Sequence, residues 1–128
     1  MEKFNSQICT TREQGERLLA LGLKKETADM QLVYSDSFTD GVIILPHPPD
    51  EEGDIPAWSL HRLIEMMPRK IECEVENGLS IDLFHTDYDV VTYYEVIGYY
   101  TDKNLYNAVI SCITDLIKEG YFNKEYLV

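Results

Sequence analysis

Near the end of the chain, Leu105, Ala108, Val109, Cys112, Ile113, Leu116 and Ile117 recur at three- and four-residue steps, which sets them all on one stripe of a helix. A stripe that wide has to be covered, and the preceding segment carries what covers it. Ile71, Cys73 and Val75 alternate with Glu72, Glu74 and Glu76, and Leu79, Ile81 and Leu83 alternate with Ser80 and Asp82. That is the period of strands with one buried and one wet face. A one-sided helix and one-sided strands in a chain of 128 residues call for helices laid on a sheet around one core.

Local signals place the other elements. Thr10-Thr11-Arg12-Glu13 has the form of a capping box, with Thr10 accepting from the Glu13 backbone, and starts a first helix. Gly22 suits the left-handed position after that helix, with Leu23 folding back on Leu18 in a Schellman stop. Gly15 in its interior costs about 1 kcal/mol relative to alanine. Residues 31–34 and 41–45 read as a hairpin joined by the turn-forming Ser35-Asp36-Ser37-Phe38-Thr39-Asp40. Pro46-His47-Pro48-Pro49 ends that pairing because proline has no N–H to give to a ladder, and Asp50-Glu51-Glu52-Gly53-Asp54 continues the loop in solvent.

Ser59 caps a second helix over residues 60–67, with Trp58 and Leu63 in the two staple positions and Pro68 as the stop. Between the alternating strands, a two-residue Asn77-Gly78 turn would set Glu76 opposite Leu79 and put charge on the apolar face. A three-residue loop with Gly78 left-handed, pairing Val75 with Leu79, is therefore expected. Residues 90–99 favour β structure and carry apolar side chains at both parities, the pattern of a central strand. Thr101 caps the last helix with Tyr100 and Leu105 as its staple, and Gly120 ends it with Tyr121 returning to Leu116. The chain thus reads as one α+β domain over residues 1–128, of order α-ββ-α-βββ-α. One antiparallel sheet of about five strands, a hairpin plus a three-stranded meander, is packed by three helices.

Charge narrows the function. Acidic residues number 23 against 11 basic ones, a net charge of −12 with the excess in both halves of the chain. Phosphate backbones are bound by Lys and Arg that displace counterions, so direct nucleic-acid binding is disfavoured, while a basic protein partner is attracted. The N-terminal segment has no apolar run of a secretory signal, and no stretch approaches a membrane span, so a cytoplasmic location without membrane contact is expected. Cys9, Cys73 and Cys112 form no C-x-x-C pair. Cys73 and Cys112 fall on apolar faces, as buried thiols do.

No chemistry-bearing motif stands out. His47, His61 and His85 are not joined by any H-x-H or H-E-x-x-H spacing, and His85 near Asp87 and Asp89 reads as a turn with polar tips. The acidic run at 50–54 begins like a calcium loop but has Ile55 where glycine is needed and His61 where a bidentate Glu is needed. The paired tyrosines Tyr93-Tyr94 and Tyr99-Tyr100 lie among Glu72, Glu74, Asp82 and Glu95 rather than in a positive groove, which favours strand packing over base stacking. No phosphate loop, nucleophile elbow or Ser-x-x-Lys is present, so no catalytic residue, metal ligand or cofactor is assigned.

The segments Asp54-Ile55-Pro56-Ala57-Trp58-Ser59-Leu60 and Leu63-Ile64-Glu65-Met66-Met67-Pro68, with the run from Glu13 to Met30 and the closing Glu119-Gly120-Tyr121, resemble a group of small proteins of gut-bacterial prophages and mobile elements. The resemblance covers most of the chain. It implies a phage-type accessory product in a bacterial cytoplasm and transfers no activity or functional residue.

The leading expectation is protein–protein binding through an acidic surface, as an inhibitor or nucleic-acid mimic directed at a host defence or nucleic-acid-handling protein. Its candidate residues are Asp50, Glu51, Glu52, Asp54, Glu72, Glu74 and Asp82. One alternative is a small-molecule site, a nucleotide-binding protein or enzyme, between the sheet and the loop over residues 46–58, with His47, Trp58, His85 and Asp87 as its candidates. A homo-oligomeric structural protein, marked by an exposed apolar patch, is the other.

Overall fold

The computed structural model describes residues 7–34, 42–71, 77–83, 89–93 and 97–128, with Asn77 and Leu83 as backbone only. Three helices and two antiparallel sheets make an α+β architecture. In chain order these are α1 (Arg12–Ala20), β1 (Met30–Tyr34), β2 (Val42–Leu45), β3 (Ile55–Ala57), α2 (Leu60–Met66), β4 (Lys70–Ile71), β5 (Asn77–Leu83), β6 (Asp89–Tyr93), β7 (Gly98–Asp102) and α3 (Leu105–Lys118). No described helix is long and apolar enough to cross a membrane.

The strands form a three-stranded sheet of order β2-β1-β3 and a four-stranded sheet of order β4-β5-β6-β7, rather than the single sheet expected from the sequence. Chemistry at Pro56 accounts for the division. β1 pairs with β2 on one side, as the hairpin reading requires, and with β3 on the other, where Gln31 sits opposite Pro56. A strand of three residues with a central proline cannot carry a ladder onward, so the first sheet stops there and the chain leaves it through α2.

Several ends follow their local signals. Ser59 caps α2, its side chain accepting from Arg62 N. Gly22 adopts φ 102° while Leu23 N donates to Leu18 O at 3.2 Å. Gly120 adopts φ 78° while Tyr121 N donates to Leu116 O at 2.9 Å, the second Schellman stop.

Other ends move to a neighbouring residue. The capping box of α1 uses Thr11 and Gln14 instead of Thr10 and Glu13. Thr10 is committed elsewhere: buried, it gives its N–H to Trp58 O at 2.9 Å and accepts the Trp58 N–H on its hydroxyl at 3.0 Å. Likewise Asn104, not Thr101, caps α3, because Thr101 lies inside β7 opposite Val90. Tyr100 is in β7 too, and its hydroxyl donates to Asp115 Oδ2 at 2.6 Å.

Residues 90–99 do not form one strand. Gly98, at φ 106°, starts β7 opposite Tyr93, so the segment folds into the β6–β7 hairpin. The three-residue loop with a left-handed Gly78 is also overturned. Gly78 sits inside β5 opposite Lys70 without a positive φ, and Leu79 N donates to Arg69 O at 3.0 Å, so both belong to the ladder and not to a loop. The preference of Asn-Gly for a tight turn yields here to β4–β5 pairing set by Ile71, which the core buries. The expected strand over 72–75, Cys73 and the 35–40 turn lie outside the described residues.

One core cluster joins all three helices to β4 and β6 of the second sheet. It contains Leu18 of α1, Trp58, Leu63 of α2, Ile71, Val91 and Tyr93, and from α3 Tyr106, Ala108, Val109, Ile110, Cys112, Ile113 and Leu116. α3 buries a wider arc than the predicted stripe, since Tyr106 and Ile110 are buried as well. Under the first sheet a smaller cluster holds Cys9, Leu32 and Ala57. Gln14, nearly buried, ties the helix starts together: its amide donates to Asn107 Oδ1 at 2.8 Å, and its carbonyl oxygen accepts from Thr11 N at 3.0 Å and Gln7 Nε2 at 2.7 Å.

Two substitutions test this packing. A Cβ on Gly15 would stand 3.1 Å from the Pro56 carbonyl oxygen and 3.6 Å from Trp58 Cζ3. Gly15→Ala therefore lowers stability by about 1 kcal/mol, although helix propensity alone favours alanine by a similar amount. Trp58→Phe loses the bond from Nε1 to Thr27 Oγ1 (3.0 Å) and leaves a gap, and it costs about 2 kcal/mol. Urea unfolding reads both as a lower midpoint at unchanged slope.

Candidate functional site

The loop that ends in β3 carries the densest negative charge, and its shape follows from one carboxylate. Asp54 turns inward, so that its Oδ2 accepts from Glu51 N at 2.9 Å and from Asp50 N at 3.0 Å. Asp54 N donates to Glu51 O at 3.1 Å, which closes a compact ring. From the neighbouring 3-10 turn (Lys25–Thr27), Lys25 Nζ donates to the carbonyls of Glu51 at 3.1 Å and Glu52 at 2.7 Å. With its backbone carbonyls engaged in this way, the loop points the carboxylates of Asp50, Glu51 and Glu52 into solvent.

Asp54 differs from the other three candidates of this loop in being half-buried and structural. Hydrogen bonds from the Glu51 and Asp50 backbones, helped by the Lys25 charge, hold its carboxyl below the usual aspartate range. Asp82 projects from β5 on the other sheet, exposed, with Ser80 Oγ at 3.4 Å. Glu72 and Glu74, the remaining acidic candidates, lie outside the described residues.

Charge compensation among the described residues is local. Among the described residues the ion pairs join Arg12 to Glu16 at 3.5 Å, His61 to Glu65 at 3.6 Å and Arg62 to Glu65 at 2.5 Å. None of them reaches Asp50, Glu51, Glu52 or Asp82. These pairs therefore draw no charge from those four carboxylates.

The residues proposed for a small-molecule pocket are not brought together. Trp58 is fully buried. His47 is exposed, with Nδ1 3.1 Å from Gln31 Nε2 and 3.2 Å from Pro48 O. His85 and Asp87 lie outside the described residues. A hollow bordering the 46–58 loop measures about 200 Å³ and is lined by Arg12, Glu16, Leu19, Asp54 and Pro56, and touches neither His47 nor Trp58. A larger cleft of about 420 Å³ lies between α2 and β5, lined by His61, Ile64, Glu65, Arg69 and Leu79, with the His61 side chain 89% exposed at its rim.

The two described cysteines are buried. Burial pushes the Cys112 thiol up to about 12, and burial with the nearby Asp29 charge raises Cys9, so both stay protonated and unreactive at neutral pH. Among the described residues no group of three or more His, Cys, Asp or Glu side chains is placed to hold a metal ion.

The sequence reading missed the exposure of β2. Val42, Ile43 and Ile44 are all solvent-accessible, and Tyr34 beside them is too. The available signal was an uninterrupted apolar run just before a proline cluster, which reads equally as a buried strand. Compared with family models, curated proteins and solved structures, the chain matches none of them.

The Asp54 ring predicts a pH response. Because its folded pKa is depressed, Asp54 stabilises the loop above the ordinary aspartate pKa and loses that contribution as pH falls through the lowered folded value. In an NMR titration the Asp54 carboxyl resonance should show a midpoint below about 3.9. The Asp50 and Glu51 amide protons should shift with the same midpoint, and Asp54→Asn should abolish the coupled step.

Proposed function

We propose that this chain acts as a phage-type accessory protein of the bacterial cytoplasm that binds a basic protein through its carboxylates, as an inhibitor or nucleic-acid mimic. The observation that carries the reading is the unneutralised acid. Of a net −12, the described ion pairs leave the carboxylates of Asp50, Glu51, Glu52 and Asp82 exposed and unpaired, the Lys25 ammonium beside them being bound to the loop's backbone carbonyls. The Asp54 ring supports it further, because a loop braced by its own backbone presents the neighbouring charges without having to order them on binding.

Such a surface works through long-range attraction that raises encounter rates with a positive groove and weakens as salt screens it. The small-molecule alternative draws less support, because Trp58 is enclosed in the core while His47 is exposed beside Gln31 and Pro48.

The test compares the native chain with a variant combining Asp50→Asn, Glu51→Gln, Glu52→Gln and Asp82→Asn as baits in a bacterial lysate, at roughly 50 mM and roughly 500 mM salt. Mass spectrometry should identify a basic protein held by the native bait at low salt, released at high salt and lost with the neutralised bait. Absence of any salt-sensitive, charge-dependent partner would overturn the proposal.

A further inference from the structure

We propose that β2 is the seam of a homodimer. A second copy of this chain adds its own β2 antiparallel to the free edge, about a two-fold axis at Ile43, and joins the two three-stranded sheets into one.

The argument begins with burial. Val42, Ile43 and Ile44 are 43%, 41% and 38% exposed, consecutive large apolar side chains on both faces of one strand. In the order β2-β1-β3, β2 has a strand on one side, and among the described residues nothing pairs its other edge. Strand edges recruit further strands unless they are guarded by lysine, proline, a bulge or a covering element. Val42-Ile43-Ile44-Leu45 carries neither charge nor proline, and it pairs with β1 residue for residue, without a bulge.

The opposite edge is guarded. β3 contains Pro56, and α1 packs so close that the Pro56 carbonyl stands 3.1 Å from where a Gly15 Cβ would lie. A sheet open on one side and closed on the other can extend once, which gives a closed two-fold pair and not a fibre.

The area identifies the occupant. Tyr34 lies opposite Val42 and Leu32 opposite Ile44, so these side chains share one face. With Ile8 and Arg12 they line a hollow of about 280 Å³ that has no carboxylate in its walls. The Arg12 guanidinium sits 5.2 Å from the Tyr34 ring centroid. The exposed parts of Ile8, Tyr34, Val42 and Ile44 on that face, with Ile43 on the other, amount together to roughly 400 Å² of mainly apolar surface that a strand added at this edge would contact from both sides. At the usual apolar share of an interface this corresponds to roughly 700 Å² per copy, near the ~800 Å² per partner of a standard one.

Self-complementarity favours a second copy over an unlike partner. Directly opposed residues of an antiparallel pair share a face, so a two-fold at Ile43 sets Ile43 against Ile43 and Val42 against Ile44. Each exposed apolar side chain of the strand then meets another.

Sedimentation velocity over a concentration series reads the outcome. The native chain should shift from monomer to twice its mass as concentration rises, and more readily at high salt, because salt screens the repulsion between two copies of charge −12. Ile43→Lys and, separately, Val42→Lys should weaken dimerisation at least tenfold, with native circular dichroism. Ile43→Cys should give an inter-copy disulfide on oxidation at concentrations where the native chain is dimeric. A chain that stays monomeric at the highest concentration, or a dimer that both lysine variants leave unweakened, would overturn the proposal. The salt response also separates this seam from the acidic binding surface, whose partner is released by the same salt.

Discussion

The position of Trp58 is the constraint on which the rest of the structure rests. Its ring is fully buried, and burial of an indole of ~200 Å² is a gain of roughly 5 kcal/mol before entropy is counted. That gain is available only if both of its N–H groups find acceptors. The backbone N–H goes to Thr10 Oγ1 at 3.0 Å and the indole N–H to Thr27 Oγ1 at 3.0 Å, while the carbonyl accepts Thr10 N at 2.9 Å. One residue thereby holds the entry to α1, the 3-10 turn before β1 and the exit from β3. The next residue, Ser59, is fixed in turn. Asp29 accepts from Ser59 N at 2.8 Å and from its hydroxyl at 2.5 Å, and the same hydroxyl accepts from Arg62 N to cap α2.

With that node set, the division into two sheets follows from sequence neighbours of Trp58. Pro56 ends the first sheet and Ser59 starts the helix that leads into the second, within four residues. α1 lies over the closed edge because Gly15 leaves room for the Pro56 carbonyl and the Trp58 ring. The helix has therefore covered one side of the small sheet, and among the described residues nothing covers the β2 side. A stabilising arrangement at one edge and an unguarded edge opposite it are two results of the same packing.

The elements legible in the sequence are those closed by interactions within a few residues of one another. The Schellman stops at Gly22 and Gly120 and the Ser59 cap depend on short-range geometry, and each occurs where its residues stand. Where two residues could cap, a distant contact decided: Thr10 was taken by Trp58 and Thr101 by Val90 across the β6–β7 pair, so Thr11 and Asn104 cap instead. β3 was unreadable because three residues around a proline form a strand only with β1 beside them. Gly98 was a readable break inside residues 90–99, outweighed by the β propensity around it. Of the site, the solvent-facing acids at 50–52 were legible from charge alone, while the inward role of Asp54 was not, since nothing in an acidic run marks which carboxylate turns back.

The exterior divides into two kinds of surface that respond oppositely to ionic strength. Carboxylates repel a second copy of the chain and attract a cationic surface, and both effects fade as salt rises. The β2 strand carries no charge, so its pairing is governed by apolar burial and main-chain hydrogen bonds that salt does not screen. A net charge of −12 opposes the approach of two copies at low concentration, so an edge without charge of its own is still held back from runaway association. Pairing at that edge would place two acidic surfaces on one continuous sheet. A basic partner long enough to span both would then gain from effective concentration rather than from any new contact.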